Sequence, residues 1–117
     1  MTEAYAIAHL RTPQLNEPVL EYLERIDGTL APFGGEFLVH GPQVEAREGD
    51  WPGTIVVIRF PDLEAARTWY DSPAYREILP LRTDNIDGEA ILVEGVGPGY
   101  LAGRTAARLR EAVARSG

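Results

Sequence analysis

The sequence predicts an α+β domain with a ferredoxin-like protomer, β-α-β-β-α-β, built on a four-stranded antiparallel sheet and followed by a C-terminal helix. Three observations predict it. Four short segments carry the composition and period of strands, and two longer stretches repeat apolar residues at three- and four-residue spacing. Proline and glycine punctuate the joins between them in an order that alternates the two kinds of element. At 117 residues and 44% hydrophobic, the chain is long enough for one domain with one buried core.

Ala4–Leu10 reads as the first strand, with Tyr5, Ile7 and His9 on one face and Ala4, Ala6, Ala8 and Leu10 on the other. Thr12-Pro13 breaks it. A helix is expected over roughly Glu17–Ala31, with Asn16 as N-cap and Pro18 tolerated in the first turn. Its apolar positions are Val19, Leu20, Tyr22, Leu23, Ile26 and Leu30, and Pro32 with Gly34-Gly35 ends it. Glu36–His40 is the second strand, with Val44–Arg47 expected as a bulged extension beyond Gly41-Pro42. Gly49-Asp50-Trp51-Pro52-Gly53 is turn chemistry, and Thr54–Phe60 is the strongest strand of the chain, so the two form an antiparallel pair.

Asp62 caps a second helix with Leu63, Ala66, Trp69 and Tyr70 as its inner stripe. Ser72 and Pro73 restart it, and the restarted helix carries Tyr75, Ile78 and Leu79 as far as Pro80. Glu89–Glu94 is the last core strand. Gly95, Gly97 and Gly99 make a joint before a helical tail over Tyr100–Arg115. Residues 1–96 are therefore read as the core domain and 97–117 as hinge and tail. Two helices cover one face of such a sheet and leave the other bare and apolar. Pairing with a second copy is the expected remedy.

Charge excludes some functions. Residues 1–95 hold seven arginines against 17 acids, a net −10, while residues 96–117 hold four arginines against Glu111, a net +3. An acidic body without a basic stripe disfavours nucleic acid as a partner. Apolar runs such as Ile55–Ile58 are far too short for a membrane helix. Glu3, His9 and Arg11 bracket the apolar start, which disfavours a signal peptide. The absence of cysteine excludes thiolate chemistry and disulfides and suits the cytoplasm, and the absence of lysine excludes Schiff-base chemistry.

Few groups remain for chemistry. His9 and His40 are the only histidines; they are the weak catalytic candidates, and no spacing links them as metal ligands. Each reads more readily as a satisfied or half-exposed histidine than as a base or ligand. Ser72 is already used as a cap, and Gly95-Val96-Gly97-Pro98-Gly99 is a hinge because Pro98 interrupts any phosphate nest. No metal and no cofactor is expected. Arg59 leaves a sheet face among Ile55 and Val57, and Arg82 follows the Ser72-Pro73 helix within reach of Tyr75. An arginine fork beside tyrosine hydroxyls suits a carboxylate or enolate. The plainer alternatives are ion pairs, Arg59 with Glu45 or Arg82 with Asp84. Trp69, Tyr70 and Tyr75 complete the candidate ligand-binding set. Trp69 is expected in the core and the tyrosine hydroxyls at a cavity.

The run Phe60-Pro61-Asp62, Ala66, Trp69-Tyr70, Ser72-Pro73, Tyr75 and Arg82 resembles the signature of the domain of unknown function 1330 family. Gly34-Gly35-Glu36-Phe37-Leu38-Val39 with Gly41, and the early Tyr5 and Tyr22, extend the resemblance over about residues 4–96. It implies a dimeric α/β barrel of two protomers packed sheet to sheet, in a superfamily that includes cofactor-independent oxygenases, isomerases and haem-handling proteins. Arg59 departs from the acidic residue, and His40 from the arginine, that many relatives carry there. The tail after Gly97 is longer than the family core, and its stripe Leu101, Thr105, Leu109 and Val113 would suit docking on a partner subunit.

Two main readings follow. The first is a homodimer whose pocket takes a small anionic or aromatic metabolite, with proton transfer, isomerisation or cofactor-free oxygenation as the fitting chemistries. The second is a structural dimer whose interior is filled by its own side chains. A third, haem handling through His9 or His40, has less behind it.

Overall fold

The computed structural model of the chain describes residues 2–116. Four strands, β1 (Ala4–Leu10), β2 (Glu36–His40), β3 (Thr54–Phe60) and β4 (Gly88–Glu94), form one antiparallel sheet in the order β2-β3-β1-β4. Helix α1 (Glu17–Leu30) connects β1 to β2, and α2 (Leu63–Tyr70) with α3 (Pro73–Thr83) connects β3 to β4. Helix α4 (Ala102–Ser116) follows the sheet. The ferredoxin-like α+β class holds.

Local chemistry sets the helix starts as expected. Asn16, Asp62 and Ser72 all sit in extended backbone and accept from the amides of Val19, Ala65 and Tyr75. The end of α1 tightens into a 3-10 turn over Ala31–Phe33 before Gly34 turns left-handed at φ 70°. Gly53 is required more strictly. Its φ is +83°, and a β-carbon there would stand 1.8 Å from the Leu10 carbonyl oxygen.

Strand register sorts the side chains into two faces. Ala4, Ala6 and Ala8 of β1 oppose Phe60, Ile58 and Val56 of β3, and Leu92 of β4 opposes Ala6. This face meets Tyr22, Ile26 and Leu30 of α1 and Ala66, Trp69, Tyr75, Ile78 and Leu79 of α2 and α3, which together form the core. Tyr75, Phe60 and Ile78 are its largest fully buried side chains. A fully buried aromatic or branched side chain contributes about 1.5–3 kcal/mol. The opposite face carries Tyr5, Ile7, Val39, Ile55, Val57, Ile91 and Val93, with Ile91 54% exposed. No helix covers it with a buried face.

The structure differs from expectation at three places. Val44–Arg47 is not a strand; pairing stops where the Gly41 amide donates to Ile55, because Pro42 has no N–H to continue the ladder. The bulge lies instead inside β2, where Leu38 is the extra residue between Phe37 and Val39. Leu20 and Leu23 lie at the exposed edge of the α1 stripe, at 40% and 37%. Helix α3 runs through Pro80 to Thr83. Pro80 gives up one helical hydrogen bond on the exposed side, and burial of Ile78, Leu79 and Arg82 around it offsets that loss. Helix α4 buries none of its residues, and Leu101, Leu109 and Val113 are exposed. Gly117 of the tail segment lies outside the described residues.

Candidate functional site

Where bulky residues of the sheet face the helices, the two layers touch; the rings of Phe60 and Trp69 are 5.3 Å apart. Elsewhere the sheet presents alanine. Ala8 pairs with Ala90 across β1 and β4, and Ala6 lies beside them. Alanine is too short to span to the helices, and a semi-enclosed cavity of about 610 Å³ results. Its floor is Ala6, Ala8, Ala90, Val56 and Leu92, and Val19, Leu23 and Ile26 of α1 close it from above. Exposed residues Pro13, Gln14, Leu15, His40 and Gly41 form the rim.

Part of the lining is polar. Because Ser72 and Pro73 set the phase of α3, Tyr75, Ile78, Leu79 and Arg82 fall on one buried face at helical spacing. The hydroxyls of Tyr22 and Tyr75 share a 2.7 Å hydrogen bond. The Arg82 guanidinium lies 5.8 Å from the centre of the Tyr22 ring and beside both hydroxyls. Trp69 packs 4.1 Å from Tyr75, with Tyr70 at 5.6 Å on the same ring. The Trp69 indole is held in place by donating to Thr29 at 3.0 Å.

Arg82 is 8% exposed, and no carboxylate among the described residues pairs with it. Burial opposes its charge, but Tyr75 and Tyr22 outweigh burial and hold its pKa above the ordinary arginine value. It is a permanent cation. Burial first, and then the adjoining Tyr75, push the Tyr22 hydroxyl far above the ordinary tyrosine value, so it keeps its proton and acts as a donor. A buried unpaired charge costs several kcal/mol. A guanidinium with hydroxyls beside it in the wall of an apolar cavity has the donors that an anion accepts from, and an anion there would relieve that cost.

Trp69, Tyr70, Tyr75, Arg82 and His40 all line the cavity. His40 stands at its rim, stacked on Phe37 at 4.3 Å. Two expected site residues do not reach it. Arg59 pairs in register with Tyr5, so strand alternation aims it at the opposite face. There its Nε donates to Glu36 at 3.0 Å and its fork also reaches Glu3; hydrogen bonds to these two acids, Glu3 foremost, raise its pKa. The expected partner Glu45 instead pairs with Arg47 at 2.6 Å, and Asp84 makes no pair with Arg82. His9 stacks on Trp51 at 4.0 Å with its Nε2 2.7 Å from the Pro52 carbonyl. Among the described residues no three His, Asp or Glu side chains gather as a metal site requires. No helix among them is long and apolar enough to cross a membrane.

Sequence reasoning placed Tyr22 in the helix stripe and in the family resemblance but not in the candidate site, and did not see the alanine floor. Both left a signal. A tyrosine at a buried helical position needs a hydroxyl partner, and three alanines facing one layer leave a gap.

The model of the family described as domain of unknown function (DUF1330) matches residues 3–96. No curated protein matches the chain. Among solved structures, a protein of unknown function from Rhodopseudomonas palustris is similar at 15% identity, covering 83% of this chain and 85% of that one, with a TM-score of 0.63. A dimeric ferredoxin-like protein of unknown function from Jannaschia sp. CCS1 is similar at 14% identity over 81% and 99%, TM-score 0.62. SnoaB from Streptomyces nogalater, a cofactor-independent oxygenase, is similar at 13% identity over 86% and 100%, TM-score 0.57. At such identities the likeness is one of fold.

Proposed function

For a chain that belongs to the domain of unknown function 1330 family, we propose a homodimer whose protomers each bind a small anionic or aromatic molecule in the cavity between sheet and helices. The observation that carries this reading is Arg82, buried, without an acidic partner, and lining the cavity beside Tyr22 and Tyr75. Trp69 and Tyr70 supply ring surface, and His40 at the rim is the proton carrier nearest to a bound molecule. The chemistries this pocket suits are proton transfer, isomerisation and cofactor-independent oxygenation; the Streptomyces protein of the same fold has the last of these.

Dimerisation is proposed through the open face of the sheet, where Ile7, Val57, Ile91 and Val93 lie side by side. An apolar sheet face of this kind is usually covered, and the Jannaschia protein of similar fold is dimeric. The unfilled cavity beside Arg82 supports the binding reading over a purely structural dimer.

Protein purified directly from cells and screened against small acids and phenols by thermal shift tests the reading. At least one acid is expected to raise the unfolding temperature of the wild type but not of Arg82→Ala. A screen in which no acid or phenol does so would overturn it.

A further inference from the structure

We infer that the ligand is an aliphatic monocarboxylate, held with its carboxylate on Arg82 and its hydrocarbon over the alanine floor. The inference rests on the reading of the cavity as a ligand site.

Charge sets the head group. The lining holds one buried cation, Arg82, and among the described residues no second arginine lines the cavity for a dianion to use. Of the two tyrosine hydroxyl protons, one is used in the 2.7 Å bond between Tyr22 and Tyr75, which leaves one to donate outward. One guanidinium fork with one hydroxyl donor matches the two oxygens of a single carboxylate. A second negative charge inside the cavity would lie among apolar groups and be left unpaired.

The middle of the cavity sets the body. Ala6, Ala8, Val56 and Leu92 face Val19 and Ile26 there, and none of their side chains donates or accepts a hydrogen bond. A sugar or nucleoside would lose its hydration and gain nothing in return. The aromatic cluster does not frame a slot for a flat ring either. Its neighbouring rings are inclined to each other by 38–68° and already packed together, so no parallel pair stands open. Flexible hydrocarbon fits an irregular aliphatic wall. The rim is itself apolar at Pro13 and at Leu15, which is 81% exposed and available to cover the hydrocarbon.

Titration calorimetry on the full chain, stripped of bound lipid, tests the inference with octanoate, decanoate, decanol, benzoate and succinate. Decanoate is expected to bind roughly tenfold more tightly than octanoate, as two further buried methylenes require. It should also exceed decanol and succinate by about tenfold to a hundredfold, the worth of a charge-assisted contact. Arg82→Gln should remove that margin over decanol. Ala8→Leu, which fills empty space at the floor, should weaken decanoate and decanol together while circular dichroism shows the fold kept. Equal affinity for decanol and decanoate in the wild type, or decanoate binding indifferent to both variants, would overturn the placement of the carboxylate on Arg82. If benzoate or succinate binds through Arg82 and decanoate does not, the pocket stands and the aliphatic ligand falls. If no acid binds at all, both readings fall.

Discussion

Arg59 and Arg82 stand on opposite sides of the same layered core and have opposite surroundings. Arg59 leaves the open face of the sheet and is claimed by Glu3 and Glu36. Arg82 leaves α3 towards the sheet, is nearly as buried as the core, and has tyrosine hydroxyls and a cavity where an acid would be expected. The body holds 17 acids, so the lack of one beside Arg82 is not for want of supply. A partly exposed, twice-paired arginine organises its own surface and contributes little. A buried unpaired one is costly in isolation and leaves room for an anion from outside. The contrast is between a structural charge and the charge proposed to hold a ligand, within one small domain.

The largest expected effect breaks the open face itself. Val57→Asp sets a charge in the middle of the proposed dimer interface, where burying it unpaired costs several kcal/mol. Sedimentation should then report a monomer at concentrations where the wild type is a dimer, and an unchanged dimer would remove this face as the interface. On the other side of the sheet, Arg82→Gln should weaken binding of a cavity-bound acid by about tenfold to a hundredfold, read by calorimetry.

A pH series sharpens the comparison. The folded-state pKa of Tyr22 lies far above the ordinary value of 10.0. Below pH 10 both folded and unfolded chains keep its proton, and its contribution to stability does not change. Above that value the unfolded chain releases the proton while the folded chain holds it. Stability should therefore fall as pH rises, by about 1.4 kcal/mol per pH unit for this one group. Denaturant titrations between about pH 9 and about pH 11.5 check this, and Tyr22→Phe should flatten the slope. Arg59→Gln is expected to have the smallest effect, leaving acid affinity unchanged and the unfolding midpoint nearly so. A loss of ligand affinity in that variant would abolish the distinction between the two arginines.

Much of the fold was legible because its signals are local. The caps Asn16, Asp62 and Ser72, and the bounds of β1, β2 and β3, follow from neighbours a few residues apart. The site was less legible, and Pro80 shows why. Ending the helix at that proline leaves Arg82 without a defined direction. Carrying α3 to Thr83 puts Arg82 seven residues after Tyr75 on the same buried face. Tertiary burial of that face outweighed a local helix-breaking preference.

The sequence by itself determined the order of elements, the capped helix starts, the alternation that gives the sheet two apolar faces, and the imbalance between an acidic body and a basic tail. These depend on period, on hydrogen bonding between near neighbours, and on counting charge. Tertiary structure alone decided where the cavity lies and which arginine serves it. The cavity exists because Ala8 pairs with Ala90, and the buried arginine–tyrosine cluster because Tyr22 of α1 meets Tyr75 and Arg82 of α3. Those partners are more than fifty residues apart along the chain, and only the packing of helices on sheet brings them within reach.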